Sequence, residues 1–229
     1  MEADIQKQQV DQIVCLGDAV QGGPQPAQVV QRLRRLNGPV VMGNADAWLI
    51  SGQETGDEDI PAERLKKMKE IRAWSLSQLT EDELDFIAGF QPTVTIPLET
   101  DLELLCFHGS PASFDDLILP AIAEQEFQKF LGLYADKVLT GGHTHAQQVR
   151  RNGKYFFFNP GSVGFAYSHQ QSEEGFRADP WAEYALLTAE NSLLSLEFRR
   201  LPFDARELIQ IYRESGRPFA DEASAQYRI

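Results

Sequence analysis

Cysteine and long apolar runs are both scarce in this sequence. Two cysteines among 229 residues cannot build a disulfide framework, which excludes a small disulfide-stapled secreted domain. No apolar run approaches the roughly 20 residues that a transmembrane helix needs, and residues 1–10 lack the hydrophobic region of a signal peptide. These absences predict a cytoplasmic protein with reduced thiols and no membrane contact.

Positive charge is also in deficit, because 21 lysines and arginines stand against 34 aspartates and glutamates, for a net charge of −13. The resulting field repels polyanions at long range, which argues against a broad nucleic-acid-binding surface. A small phosphate ester can still bind where a local cation, such as a metal ion, reverses the potential inside one cleft. Composition leaves the oligomeric state open.

What is present suits a folded globular protein, with 42% apolar and 24% charged residues, and we expect one domain over residues 1–229. The predicted strands are 12–16, 39–42, 93–98, 102–107, 137–140, 147–150, 155–158, 184–188 and 192–198, and the predicted helices are 2–9, 27–36, one beginning near 46, 62–79, 80–88, 121–133 and 204–213. A polar, acidic loop is predicted at 51–61. Alternating strands and helices followed by antiparallel hairpins predict an α/β fold with a mixed sheet, a second sheet and outer helices.

Polar side chains follow several predicted strands at the point where each strand ends. Asp18 follows the first strand, Asn44 the second, and His108 the strand at 102–107. His143 and His145 come after the strand at 137–140, so three of the four histidines belong to this set. Binding sites in open α/β sheets form beyond such strand ends.

Each of these residues has an ordinary structural interpretation as well. Asp18 and Asn44 are types that cap helices or form turns, and a histidine at a strand end is commonly just hydrogen-bonded. The alternation in His143-Thr144-His145 is more telling, because it places two imidazoles on one side of an extended backbone. Together, carboxylate, amide and imidazole groups suit Mn, Fe, Zn or Ni, and the lack of cysteine argues against a structural thiolate zinc site.

Four sequence blocks carry a family resemblance. Gly17-Asp18, Gly43-Asn44-Ala45-Asp46, His108-Gly109 and Gly142-His143-Thr144-His145 resemble, in order and spacing, the motifs of calcineurin-like metallophosphoesterases, in their small prokaryotic phosphodiesterase branch. The turn Asn159-Pro160-Gly161-Ser162 is similar to that family too. The resemblance implies an α/β/β/α sandwich of two mixed β-sheets flanked by helices, and a two-metal hydrolytic centre that acts on a small phosphate ester.

The same resemblance implies a role for each residue of the set. Asp18 would bridge two divalent ions, and His145 would belong to the second of them. Asn44, His108 and His143 would complete the first metal site. A hydroxide held by the metals would attack phosphorus in a phosphodiester or phosphomonoester, which makes Asp18, Asn44 and His108 the implied catalytic residues. Residues that bind the rest of the substrate stay unassigned.

The sequence departs from the family at its beginning. The family's first strand ends in an Asp-x-His block that supplies two ligands of the second metal, and no such block occurs in this chain. We therefore expect the first strand of the fold to be missing and one metal to bind better than the other. A truncated or mis-started chain explains this better than a rearranged, shortened fold.

A second departure is Ala45, at a position where many relatives have a histidine that protonates the leaving group. Alanine cannot do so, which favours esters with good leaving groups or protonation by metal-bound water. Asp46 either replaces this acid or caps the following helix. The alternative to an enzyme is a metal- or nucleotide-binding module with a single metal and impaired or no turnover.

Four other features have structural explanations that we prefer. The aromatic run at 155–158 suits a strand buried on both faces better than a nucleobase pocket. Asp115 and Asp116 suit a solvated loop, and His169 an exposed one. The arginine pairs at 150–151 and 199–200 suit an ordinary surface better than a phosphate contact.

Overall fold

The computed structural model describes residues 1–53, 60–172, 175–191 and 193–227. Its helices are α1 (Glu2–Lys7), α2 (Pro26–Leu36), α3 (Asn44–Ser51), α4 (Ala62–Ser77), α5 (Glu81–Ala88), α6 (Glu124–Leu131), α7 (Ala205–Glu214) and α8 (Ala220–Ser224). Its strands are β1 (Val94–Glu99), β2 (Leu102–Cys106), β3 (Val138–Thr140), β4 (Gln148–Asn152), β5 (Tyr155–Asn159), β6 (Trp181–Glu190) and β7 (Leu193–Pro202). The predicted α/β class is confirmed.

The main sheet is mixed, with strand order β1-β2-β3-β5-β4. Strands β2, β3 and β5 run parallel, and β1 and β4 pair antiparallel with their neighbours at the two edges. The second sheet, within the described ranges, is the antiparallel hairpin of β6 and β7. It is therefore not the second mixed sheet that the family resemblance implies.

The main sheet is covered on both faces, and β5 shows how. Phe157 packs with Phe107 and with Phe127 of α6 on one face. Phe158 belongs to the cluster on the other face, where the β6–β7 hairpin packs. Burying one such side chain stabilises the fold by about 1.5–3 kcal/mol. Phe157 and Phe158 are thus core, as predicted, whereas Tyr155 and Phe156 are half-buried against the same cluster as Phe158.

The first two predicted strands are shorter than expected. The segments pair in parallel at Cys15 and Val40, and Val41 pairs in parallel with Gln91, but these are isolated bridges. Pro39 has no N–H to donate to a ladder, and Gly17 has a φ of +89°, which turns the chain out of the extended conformation. The parallel direction is kept, so the residues that follow still leave the sheet at the same edge.

The helices agree with the sequence patterns apart from a few boundaries. Thr80 and Glu83 form the predicted capping box of α5, whereas α3 begins at Asn44, before the predicted start near 46. The predicted helix at 121–133 is divided into α6 and a 3-10 turn, Gly132–Tyr134. The short helix α8 was missed, and residues 54–59 of the predicted acidic loop and Ser192 lie outside the described residues.

Among the described residues, no helix combines the length and the apolar character that crossing a bilayer requires.

Candidate metal centre

Four polar side chains meet at one edge of the main sheet. His108 comes two residues after β2, and His143 comes three residues after β3. Asp18 and Asn44 follow the two bridged segments that run parallel to each other. Because parallel segments end at the same edge of a sheet, the turns that follow them place these side chains together.

The Nε2 atom of His108 lies at the middle of this group. It is 3.2 Å from Asp18 Oδ2, 3.1 Å from Asn44 Oδ1 and 3.1 Å from His143 Nδ1. Ligand atoms of Asp18, His108 and His143 all lie within 4.8 Å of one another, and the described ranges hold one such group of His, Cys, Asp or Glu residues. Four of the five predicted site residues are thus together.

His108 is held in one orientation by a backbone group. Its Nδ1 lies 2.6 Å from the carbonyl oxygen of Leu16, so Nδ1–H donates there and Nε2 is the atom that faces the other ligands. Burial is the largest single influence on the pKa of His108 and would lower it, but the hydrogen bond to Asp18, the charge of Asp18 and the Leu16 carbonyl together raise that pKa. Burial is likewise the largest single influence on Asp18 and opposes its ionisation, but the hydrogen bond from His108, the charge of His108 and the Ala45 N–H together hold the pKa of this carboxyl below its usual value.

His143 is kept in the neutral form that a metal ligand requires. Burial, followed by the positive charge of His108, lowers the pKa of His143 to about 4. A hydrogen bond to the backbone of Asp115 acts in the opposite direction and orients the ring. This imidazole therefore has a free lone pair at neutral pH.

The two glycines that precede the oxygen ligands are required by close packing. A Cβ on Gly17 would lie 2.6 Å from the backbone nitrogen of Gly43, and a Cβ on Gly43 would lie 2.1 Å from Asp18 Oδ1. Asp18 itself has a φ of +51°, and its Oδ1 accepts a hydrogen bond of 2.8 Å from the N–H of Ala45. The first turn of α3 thus supplies a donor that holds the carboxylate in place.

Asp46 has neither of the two roles considered for it. It is fully buried, and its two carboxylate oxygens accept hydrogen bonds from the N–H groups of Ala19 and Val20, at 3.1 and 3.0 Å. Burial raises the pKa of Asp46 to about 6. The residue anchors the loop after Asp18; it does not cap α3, and no oxygen of it is exposed toward a leaving group.

Asn159 is a second anchor, which the sequence marked only through its Asn-Pro-Gly turn. His143 and His145 both have positive φ values, of +63° and +54°, a strained conformation for residues other than glycine. The buried Nδ2 of Asn159 donates to the carbonyl of Gly142 at 2.5 Å and to the hydroxyl of Thr144 at 3.1 Å. These bonds hold residues 142–145, hereafter the histidine loop, in that conformation.

His145, the fifth predicted site residue, lies outside the close group of ligand atoms. Its Nδ1 is 2.7 Å from the carbonyl oxygen of Phe165, which leaves Nε2 as its free ring atom. Burial lowers the pKa of His145, and the charges of Asp18 and His108 also act on it. The residue is within electrostatic range of the centre, and its place at a second metal stays a prediction.

The remaining histidine, the carboxylate pair at 115–116 and the arginine pairs were assigned to ordinary loops and surfaces, and the structure shows their contacts. His169 is exposed, and Asp116 accepts a hydrogen bond of 2.5 Å from a neighbouring serine hydroxyl. Arg150, Arg199 and Arg200 each form a salt bridge to a carboxylate of another element. Their charges are therefore already balanced within the protein.

The donor set fits a divalent metal. One carboxylate, one amide oxygen and two imidazoles form the mixed oxygen and nitrogen set that Mn, Fe, Zn and Ni accept. Each imidazole is oriented through its second nitrogen or by a backbone hydrogen bond, as metal-binding histidines are.

Comparison with known proteins bears on the fold and the family of this chain. The calcineurin-like phosphoesterase superfamily domain matches residues 2–179. A crystal structure of a hypothetical protein from Pyrococcus horikoshii is similar with a TM-score of 0.74 at 18% identity, over 95% of this chain and 86% of that one. A metallophosphoesterase from Sphaerobacter thermophilus is similar with a TM-score of 0.66 at 24% identity, over 98% and 90%. At these identities the two structures show a shared fold. No curated protein matches the chain.

Proposed function

The chain belongs to the calcineurin-like phosphoesterase superfamily, and on that premise we propose that it is a metal-dependent phosphoesterase that hydrolyses phosphodiesters or phosphomonoesters. The observation that supports this proposal is the convergence of Asp18, Asn44 and His143 on the Nε2 atom of His108. Within a molecule of net charge −13, a site of this composition suits a divalent cation that attracts a phosphate ester locally.

A divalent ion at this site would be held by Asp18, Asn44, His108 and His143, and His145 would serve a second ion. When bound, such ions supply the positive charge that neutralises phosphate oxygens and lowers the pKa of water for attack on phosphorus. We propose Mn²⁺ as the first ion to test, because it accepts this mixed ligand set.

The contribution of the chain is to fix the ligands before the substrate arrives. Asp18 uses one oxygen to accept from the Ala45 N–H and keeps the other toward His108. His108 is turned by the Leu16 carbonyl. Ligands that are already oriented do not have to be ordered when substrate binds, and this preorganisation is a large part of catalysis.

The surroundings of Ala45 bear on which esters react. Its methyl group has no acidic proton. Both carboxylate oxygens of the neighbouring Asp46 accept hydrogen bonds from backbone N–H groups. No side chain at this turn is therefore available as a general acid. The proposed enzyme favours esters whose leaving groups are stable without protonation, such as phenolates.

A second candidate function rests on the position of His145. Because this residue lies outside the close group, the described residues show one compact ligand set. A chain that holds a single metal ion would be a metal- or nucleotide-binding module with little turnover, since the hydrolytic chemistry of this family uses two ions.

Metal content and turnover measured on one sample separate these candidates. After Mn²⁺ loading and desalting, about two ions per chain together with hydrolysis of a chromogenic phosphodiester or phosphomonoester supports the enzyme, whereas about one ion without hydrolysis supports the binding module. His143→Ala removes a ligand of the compact set, so we expect it to lose bound metal. Asn152→Ala is the control, because Asn152 is a buried polar residue outside that set, at the end of the β4–β5 hairpin opposite to Asn159. Unchanged metal content in His143→Ala would contradict the site.

A further inference from the structure

An aromatic cluster lies against His145. The ring centroids of Phe165 and Tyr167 are 5.8 and 5.4 Å from that of His145. Phe176 lies 5.7 Å from Phe165 and 5.1 Å from Tyr167. Phe165, Tyr167 and Phe176 are hereafter the aromatic platform. All three are half-buried, and exposed residues at 163–164 and 168–170 flank them.

Core packing accounts for one member of the platform and not for the other two. Phe165 packs against a buried cluster that includes Tyr227, whose ring is 6.2 Å away. Tyr167 and Phe176 belong to none of the four buried clusters of the described residues. Partly exposed aromatic rings beside a polar site are typical of ligand-binding surfaces.

Hydrogen bonds fix the platform relative to the loop that carries His143 and His145. The carbonyl oxygen of Phe165 contacts His145 Nδ1 at 2.7 Å, and His169 Nε2 lies 2.5 Å from the carbonyl oxygen of Thr144. His169 also packs on Tyr167, with 4.9 Å between ring centroids. The segment that carries the first two platform rings is thus bonded to the histidine loop on both sides of Tyr167.

From this geometry we propose that the aromatic platform binds a planar ring carried by the phosphate ester, so that Tyr167 and Phe176 determine substrate specificity. The inference rests on the proposed function, which places the phosphate at the metal centre. Stacking on aromatic side chains binds any planar ring, whether an aryl group or a nucleobase. It also adds local attraction in a molecule whose overall charge repels the phosphate.

The composition of the turn at Ala45 favours the same substrate class independently of the platform. No general acid is present there, and an aryl ester releases a phenolate that needs none. Ring binding admits an aryl ester or a nucleotide, and leaving-group chemistry favours the aryl ester, because a nucleoside leaves as an alkoxide that needs a proton.

Calorimetric binding to the Mn²⁺-loaded full chain tests this proposal without turnover. Phenylphosphonate and methylphosphonate share a phosphonate group and differ by the ring, and we expect phenylphosphonate to bind about tenfold more tightly. Tyr167→Ala and Phe176→Ala are each expected to reduce this ratio toward one, with methylphosphonate affinity and Mn²⁺ content unchanged. Tyr167→Phe keeps the aromatic ring, so we expect the affinity ratio of the two phosphonates to stay unchanged in this variant.

Tyr155→Ala is the matched control, because Tyr155 is a half-buried tyrosine at the end of β5 opposite to Asn159. In Tyr155→Ala, the ratio of phenylphosphonate affinity to methylphosphonate affinity is expected to equal that of the unmodified chain. Equal affinities for the two phosphonates, or a ratio that neither platform variant changes, would overturn the platform proposal while leaving the phosphoesterase proposal standing. Absence of binding by both phosphonates would instead overturn the phosphoesterase proposal and the platform with it.

A second pair of probes identifies the source of the ring. Adenosine 5′-monophosphate and ribose 5-phosphate differ by the nucleobase. A tighter fit of the nucleotide that is lost in Tyr167→Ala supports a nucleobase on the platform. Equal affinity of these two, together with a preserved phenylphosphonate preference, supports an aryl ester.

Discussion

Backbone groups hold the individual ligands of this centre. The Ala45 N–H holds Asp18, the Leu16 carbonyl orients His108, and the backbone of Asp115 orients His143. Backbone groups move less than exposed side chains, so ligands tied to them keep their geometry. Substitution at those three positions changes the ligand geometry less than substitution of the buried side chains that brace the loops.

Asn159 is such a brace, and its removal is expected to weaken metal binding from a distance. Asn159→Ala takes away two donors to the histidine loop and leaves the buried Thr144 hydroxyl without this donor, so we expect a loss of about 1–3 kcal/mol in the free energy of unfolding. Because His143 and His145 then relax from positive φ, Mn²⁺ affinity falls as well. Urea unfolding and Mn²⁺ titration measure the two effects.

Asn152 provides the matched control. It is also fully buried and donates to the carbonyl of Leu131, but it lies at the other end of the β4–β5 hairpin. Asn152→Ala is expected to lower stability and leave Mn²⁺ affinity unchanged. Equal loss of affinity in both variants would mean that Asn159 acts through global stability alone.

Among the elements, α3 carries much of the site, because it begins at Asn44 and is held at both ends. At its carboxyl end the guanidinium of Arg72, from α4, donates Nε–H bonds of 3.0 Å to the carbonyls of Trp48 and Leu49. A further bond of 3.3 Å reaches the carbonyl of Ile50. The carbonyls of Leu49 and Ile50 have no partner within a helix that ends at Ser51, whereas that of Trp48 also accepts from the Gly52 N–H at 2.8 Å.

Arg72→Ala is expected to loosen α3 and, through it, the first turn that holds Asp18. Loss of charge-assisted bonds to three carbonyls lowers the free energy of unfolding by about 1.5–3 kcal/mol, and amide exchange over α3 becomes faster. Arg32→Ala is the control, because Arg32 forms an exposed ion pair with Glu2, a kind worth about 0–1 kcal/mol. Equal protection of α3 in both variants would show that α4 does not clamp it.

The β6–β7 hairpin contributes a pH dependence through Glu183. This carboxylate is 3% exposed and lies 2.6 Å from Arg200, with the N–H of Ser162 donating to it from the turn after β5. Burial raises the pKa of Glu183 above its usual value, although the bond from Arg200 acts against the shift. The folded state therefore binds this proton more tightly than the unfolded chain does.

Stability should consequently fall as the pH rises through the interval between the unfolded and the raised folded pKa of Glu183, and it should be constant above that interval. Measured between about pH 4 and about pH 8, the free energy of unfolding of the unmodified chain, minus that of Glu183→Gln, is expected to decrease as the pH rises and then to level off. Urea unfolding across this range measures it. An increase would mean that the Arg200 ion pair outweighs burial.

The molecule as a whole repels its proposed substrates until they are close. With a net charge of −13, long-range repulsion slows the approach of a phosphate ester, and salt screens it. Raising the ionic strength from about 0.01 to about 0.15 M shortens the Debye length from about 30 to about 8 Å. We expect kcat/KM to rise a few-fold, and to rise more for dianionic 4-nitrophenyl phosphate than for its monoanionic diester.

Steady-state assays in KCl measure this dependence, and an uncharged inert osmolyte at matched osmolality is the control. A decrease of kcat/KM with salt would mean that the local positive potential of the metal-loaded cleft governs association instead.

Much of the centre was predictable, because ligand chemistry depends on residue type. Asp18, Asn44, His108 and His143 follow extended segments, and such segments end at one edge of an α/β sheet whatever their exact length. The segments around Cys15 and Val40 form only isolated bridges, but this does not change where they end. Sequence periodicity likewise located most helices and strands, since it records which face is buried.

What the sequence determined by itself was the α/β class, the set of candidate ligands and the repulsive charge, because each depends on residue type or local pattern. Tertiary structure alone decided that Asp46 bonds two backbone amides and that Asn159 braces the histidine loop. It also placed Tyr167 beside His145 and Phe176 beside Tyr167. These contacts join residues far apart in the chain, and their partners are set by packing and by the need of buried polar groups for hydrogen bonds.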